Sequence, residues 1–216
     1  GAAIAFGGVG MIQFSGLNKI LLFIVVAPVL AVLGAIMFTV LVFSVSKGFS
    51  PLAVNSWFKR LQLVSASWYS LGHGTNDAQK TMGVIAAVLF SAGFIDTFRI
   101  DTWVILAAHA AIALGTLAGG WRIVKTMGMR LTKLRPVDGF CAESGGALTL
   151  LGTAHFGIPV STTHVIASSI MGVGVSKRAS GVRWGIARKI IHAWLLTIPM
   201  SAFFAAVSHV LIVKLL

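Results

Sequence analysis

The chain has 216 residues, 57% of them hydrophobic and 10% charged, where an ordinary soluble domain carries about a quarter charged; a water-soluble globule is excluded and a bilayer is the expected solvent. The formal net charge of +12 sits in short basic clusters between long apolar runs, the pattern of membrane loops and not of a nucleic-acid-binding face. A single cysteine, Cys141, excludes an intrachain disulfide and a multi-cysteine metal site, and it reads as a small apolar filler.

Residues 1–12 are small and apolar, with no methionine, basic leader or cleavage pattern ahead of them. Position 1 therefore reads as a truncation point, and more sequence is expected upstream. Residues 20–44 form a run long enough to cross a hydrocarbon core, which takes about 20 helical residues. The polar stretch 46–60 contains Pro51 and the amphipathic Trp57-Phe58-Lys59-Arg60, suited to a headgroup boundary. Residues 61–93 are apolar again but interrupted by polar residues at 72–80. Residues 103–120 make a clean span in which Gly115 and Gly119 offer a small-xxx-small packing face. After the basic segment 122–135 come two half-length apolar pieces, 139–156 and 161–174, separated by Gly157-Ile158-Pro159. Residues 190–213 form the last span, with Pro199 as a kink.

Cytoplasmic loops accumulate lysine and arginine. That rule places Lys47, Lys59 and Arg60 on the inside, together with Arg122, Lys125, Arg130, Lys133 and Arg135, and with Lys177, Arg178, Arg183, Arg188 and Lys189. The turns at Lys19 and at 96–101 then lie outside. For the second and third clusters to share a side, residues 139–174 must enter and return as a re-entrant hairpin with its tip at 157–159. A faint repeat accompanies this topology: Phe14-Ser15-Gly16, Lys19-Ile20 and Pro28 are echoed by Trp184-Gly185, Lys189-Ile190 and Pro199. Each copy follows a small-residue helix, over 1–10 and 168–174. The first copy starts outside and the second inside, so the two are expected to be inverted, as in many secondary transporters. The expected fold is an all-α polytopic membrane protein with discontinuous helices and a re-entrant hairpin, part of an inverted-repeat transporter. Residues 1–45 would be the end of a first repeat and the following transmembrane helix, 46–60 a cytoplasmic amphipathic linker, and 61–216 a second repeat.

Two intramembrane breaks carry the chemistry. In Gly72-His73-Gly74-Thr75-Asn76-Asp77-Ala78-Gln79-Lys80, the glycine pair is expected to end one helix and the following residues to cap the next. Irregular backbone at that depth is tolerated only inside protein or beside a water-filled cavity. An ionisable residue there costs roughly 2.5 to 3.5 kcal/mol on insertion scales, which marks Asp77 as a functional candidate; a plain N-cap aspartate is the bland alternative. Lys80, one turn on, can pair with Asp77, snorkel away or touch the ligand. In Pro159-Val160-Ser161-Thr162-Thr163-His164, the hydroxyls open a helix whose free N–H groups and dipole favour a tetrahedral oxyanion. The bland alternative is hydroxyl capping and back-bonding. His73 and His164 flank the motifs and could titrate near neutral pH; His109, His155, His192 and His209 show no ligand spacing, and no fixed metal site is expected. No nucleotide-binding or hydrolase motif is present, so the chain does not read as an enzyme.

At these residues the sequence resembles the inorganic phosphate transporter family. Residues 72–80 are similar to its repeated Gly-Ala-Asn-Asp signature, with Thr75 in place of the alanine, and residues 159–164 to its Ser-Thr-Thr-His element; the resemblance runs over about 1–213. It implies a symporter for inorganic phosphate, multi-pass in the cell (inner) membrane, in which two inverted repeats each supply both motifs. Carried over, Asn76, Asp77, Gln79, Lys80, Ser161, Thr162 and Thr163 would bind substrate, with Asn76, Asp77 and Thr163 also serving the coupling cation. The Gln79-Lys80 continuation resembles bacterial low-affinity members, which implies proton coupling, no resident cofactor and acceptance of metal–phosphate. Sodium coupling, sulfate as the anion, an uncoupled anion channel and a non-transporting scaffold stay open. The bilayer and a missing N-terminal repeat are the implied partners, and a homodimer stays open.

Overall fold

The computed structural model describes residues 1–215; position 216, the end of the third expected segment, and the side chain of Arg122, counted in the second basic cluster, lie outside the described residues. Among the described residues every regular element is helical. α1, Ala2–Gly7, stops where Gly8 turns to φ 76°, a conformation open to glycine, so the helix expected over 1–10 is split. α2, Phe14–Val45, is 32 residues long and carries Pro28 inside it. α3, Pro51–Ser91, starts behind the N-cap of Ser50, whose Oγ accepts from Ala53 N at 3.3 Å, with Pro51 in the first turn. Residues 51–60 are thus the opening turns of α3.

The break expected at 72–80 does not occur, because α3 runs through both glycines to Ser91. Water is absent from a bilayer core, so a spanning backbone keeps its own hydrogen bonds. The polar side chains serve the same helix: Thr75 Oγ1 donates to Leu71 O and Asn76 Nδ2 to Gly72 O, both at 2.8 Å.

α4, Thr102–Gly119, packs Val104 and Ala108 against Ala78 and Met82 of α3. A Cβ built at Gly115 or Gly119 would meet nothing within 4 Å, so the small-xxx-small face expected there is not a packing face among the described residues. α5, Trp121–Lys125, passes into a π turn, Thr126–Leu131. α6, Pro136–His155, begins with proline in its first turn and a capping box, Asp138 Oδ2 accepting from Arg135 N at 2.8 Å. At 20 residues it begins three residues before the piece expected over 139–156, because Pro136 opens the helix and Val137 and Asp138 are buried against its neighbours. α7, Thr162–Lys177, runs back beside α6, and the discontinuity the fold does contain lies between them, where Gly157 turns at φ 64° ahead of Pro159. α8, Trp184–Leu215, is 32 residues long and holds Pro199. α2 and α8 start on the aromatic residues that open the faint repeat and carry their prolines near the middle.

The core is the grip of the α6–α7 hairpin on α2. Ala27, Ala31, Ala35, Thr39 and Val42 form a buried stripe at three- and four-residue spacing. Opposite it, a Cβ at Gly145 would lie 2.5 Å from Ala35 N, and one at Gly172 2.6 Å from Val32 O; only glycine allows backbones this close. Away from this core, large apolar side chains such as Leu33, Val40, Phe203, Phe204 and Leu211 are exposed. Among the described residues three helices are long and apolar enough to cross a membrane. Apolar surface on this scale is stable in lipid and not in water; the chain is an integral membrane protein.

Candidate functional site

The hairpin tip brings the N-terminus of α7 onto the middle of α3, and the two polar segments meet there. Asp77 Oδ2 accepts from Thr162 Oγ1 at 2.9 Å, while Oδ1 accepts from Lys80 Nζ at 2.9 Å. The same ammonium donates to Val160 O at 2.9 Å, so Lys80 ties the carboxylate to the segment entering α7. His73, one turn before Asp77, places Nε2 3.5 Å from Oδ2. Tyr69, a further turn back, donates its hydroxyl to Thr162 O at 2.9 Å and stacks on the His73 ring. Ser161 is the N-cap of α7, its Oγ accepting from His164 N at 3.4 Å.

Of the seven residues expected to bind substrate, Asp77, Lys80 and Thr162 touch across the two segments. Asn76 is buried but is turned to its own helix. Gln79 and Thr163 are exposed on the open side of their helices. Ser161 is half-buried at the mouth of the helix end. Tyr69 was not expected, although a signal existed. It is the chain's one tyrosine, and Tyr69, His73 and Asp77 recur at four-residue spacing, which puts them on one helix face.

Extending that face backwards leads to a second polar contact. Glu143, on α6, accepts from Ser65 Oγ at 2.6 Å and from Gln62 Nε2 at 3.5 Å. Gln62, Ser65, Tyr69, Asp77 and Lys80 are thus a polar seam on α3 laid against the hairpin. Glu143 went unnoticed because it sits in a helix without a polar interruption around it. Among the described residues no three histidine, cysteine or carboxylate side chains come together as ligands for a metal ion. His164 stacks on Trp194 of α8, ring centroids 4.1 Å apart, with Nδ1 buried and unpartnered.

The chemistry available is that of opposed charges at a helix end. The α7 N-terminus and Lys80 attract an anion, and Asp77 repels it. The carboxylate occupies the position an oxyanion would seek, held there by the Thr162 hydroxyl.

Comparison with known proteins gives consistent matches. The profile of the Phosphate transporter family matches residues 43–205. A protein of Rhizobium meliloti (strain 1021) named "Probable low-affinity inorganic phosphate transporter" is 50% identical over 97% of this chain and 63% of its own length. Proteins of the same name from Bacillus subtilis (strain 168) and Mycobacterium tuberculosis (strain ATCC 25618 / H37Rv) are each 42% identical, over 97% and 98% of this chain and 63% and 52% of their own lengths. The chain therefore spans about half to two-thirds of the length of the curated relatives it matches. A solved structure titled "The sodium-dependent phosphate transporter" superposes with a TM-score of 0.84, at 23% identity, over 99% of this chain and 71% of the other; at that identity the likeness concerns the fold.

Proposed function

The chain belongs to the phosphate transporter family, and on that premise we propose that it forms part of a secondary carrier for inorganic phosphate in the cell membrane. Residues 72–80 and 159–164 supply one face of its anion and cation site. The observation that carries this reading is the 2.9 Å bond between Asp77 Oδ2 and Thr162 Oγ1, which joins the two segments at a helix N-terminus.

That contact suggests how coupling works. Two like unit charges about 4 Å apart at an effective dielectric of about 20 repel by about 4 kcal/mol, close to a thousandfold in affinity. Phosphate therefore binds beside Asp77 best when a proton or a cation adds to the screening that Lys80 already gives Oδ1, and anion and cation move together. The proton is the proposed partner because the Gln79-Lys80 continuation resembles bacterial low-affinity members, and the relatives that match this chain carry that name. Phosphate arriving as a complex with a divalent metal would bring its own screening charge. The re-entrant hairpin, fixed to α2 by backbone contacts and to α3 by hydrogen bonds, is the body that rocks in alternating access.

The test is uptake of radiolabelled phosphate by proteoliposomes holding the polypeptide carried to the length of its relatives, under imposed proton or sodium gradients. Accumulation driven by the proton gradient, lost in Asp77→Asn and reduced in Ser161→Ala, is expected. Unchanged uptake in both variants overturns the site assignment. Sodium-driven accumulation reassigns the cation, competition by sulfate broadens the anion, and equilibration without accumulation identifies a channel.

A further inference from the structure

At the end of the hairpin remote from its tip, the segment after the π turn and the loop between α7 and α8 enclose a cleft of about 370 Å³. That is room for a phosphate group and several waters at about 30 Å³ each. Lys133 lines it from one side, Lys177, Arg178 and Arg183 from the other, and Thr132 stands in its wall. The two sides are tied together by Arg183 N donating to Leu131 O at 3.0 Å. On the second side the loop is packed onto the end of α7, since a Cβ at Gly181 would come 2.5 Å from Gly174 O.

The charges in this cleft are unbalanced. Lys177 pairs with Asp138, which is fully buried and also contacts Arg135. Among the described residues, Lys133, Arg178 and Arg183 have no carboxylate within ion-pair distance. A second observation is independent of charge. Thr132 is 4% exposed, and its Oγ1, which a Cβ at Gly174 would approach to 3.0 Å, has no hydrogen-bond partner. Buried hydroxyls are almost always satisfied, and an orphan one in the wall of a cleft marks where a partner belongs. Trp184 is exposed and anchored by Nε1 donating to Ala179 O at 2.9 Å, and tryptophan is enriched at the headgroup boundary.

We propose that this cleft binds an anionic phosphate group, with Lys133, Arg178 and Arg183 as counter-charges and the Thr132 hydroxyl as donor. The group is that of an anionic lipid headgroup or of free inorganic phosphate. The cleft shares no residue with the Asp77–Thr162 contact, so it stands whether or not that contact carries transport.

The experiment uses the purified chain in nanodiscs. One arm measures retention of phosphatidic acid, mixed into phosphatidylcholine, by native mass spectrometry. The other measures radiolabelled inorganic phosphate at equilibrium in phosphatidylcholine alone, in an Asp77→Asn background that removes the α3 site. The test variants are Arg178→Gln with Arg183→Gln, and Thr132→Val, which changes no charge; the control, Lys47→Gln with Lys59→Gln, removes two charges from a different basic cluster. Near a headgroup surface each cation contributes about fivefold, so the arginine pair is expected to lose about 25-fold, Thr132→Val severalfold and the control less than twofold. Loss confined to phosphatidic acid identifies the lipid, and loss confined to inorganic phosphate identifies the free anion. Equal binding of both probes by wild type, test variants and control overturns the proposal; if the arginine pair does not reconstitute, Thr132→Val decides alone.

Discussion

Asp77 has a partner on each oxygen, Lys80 on Oδ1 and Thr162 on Oδ2, with His73 close by, and this arrangement separates neighbouring hydroxyls by function. Thr162 is 2% exposed and bonds the carboxylate; Thr163, next to it, is exposed. Thr162→Val keeps the shape and removes a hydrogen bond to a partly exposed charged group, a loss of about 1 kcal/mol. It is expected to lower both the unfolding temperature in detergent and phosphate uptake, the latter by tenfold or more. Thr163→Val is expected to leave the unfolding temperature unchanged and to lower uptake alone, as a side chain does when it faces ligand instead of protein. Equal unfolding shifts in the two variants would contradict this division.

At the scale of the helix, two kinds of contact hold the hairpin. Its α2 side is closed by glycine, and its α3 side by the polar seam of Gln62, Ser65, Tyr69, Asp77 and Lys80. A methyl group at Gly172 would sit 2.6 Å from a backbone oxygen of α2, and backbone cannot rotate aside. Gly172→Ala is therefore expected to destabilise by about 1–3 kcal/mol, the range for overpacking. Gly115→Ala, where a Cβ meets nothing within 4 Å, is expected to be neutral or stabilising by about 0.5–1 kcal/mol, as alanine is in a helix interior. Thermal unfolding of both in one detergent checks the contrast. The same comparison shows what periodicity misses: Gly115 and Gly119 have the spacing of a packing pair, and Gly145 and Gly172, on different helices, are the residues that pack.

For the whole molecule, the basic clusters at 47–60, 122–135 and 177–189 and the acidic turn at 96–101 define sides of a membrane by the positive-inside rule. α3 and α4 connect the first two clusters through that turn, and the hairpin returns the chain to the side it left. Cysteines introduced at Lys133 and Ser180 in a Cys141→Ala background should be modified by an impermeant reagent from one face of sealed vesicles, and a cysteine at Asp96 from the other. Modification of Lys133→Cys and Asp96→Cys from the same face would overturn the topology. α8 packs on α1 and meets α7 through Trp194, and its apolar window has no buried residue; most of its surface is left to lipid or to further protein.

The amino-acid sequence by itself determined the solvent, the spans and the two chemical segments. Composition, run length and charge asymmetry are local or additive properties, and Asp77 and Ser161–Thr163 are conspicuous because polar groups are costly in an apolar run. It did not determine what those segments touch. The glycines of residues 72–74 permit a break as well as a helix, and the choice fell to the surroundings: a continuous α3 keeps its backbone bonded where no water replaces the bonds. Likewise, the Tyr69 hydroxyl on Thr162 O, Glu143 on Ser65, and the cations gathered around Thr132 join residues far apart in the chain, and such contacts exist only once helices have packed face to face.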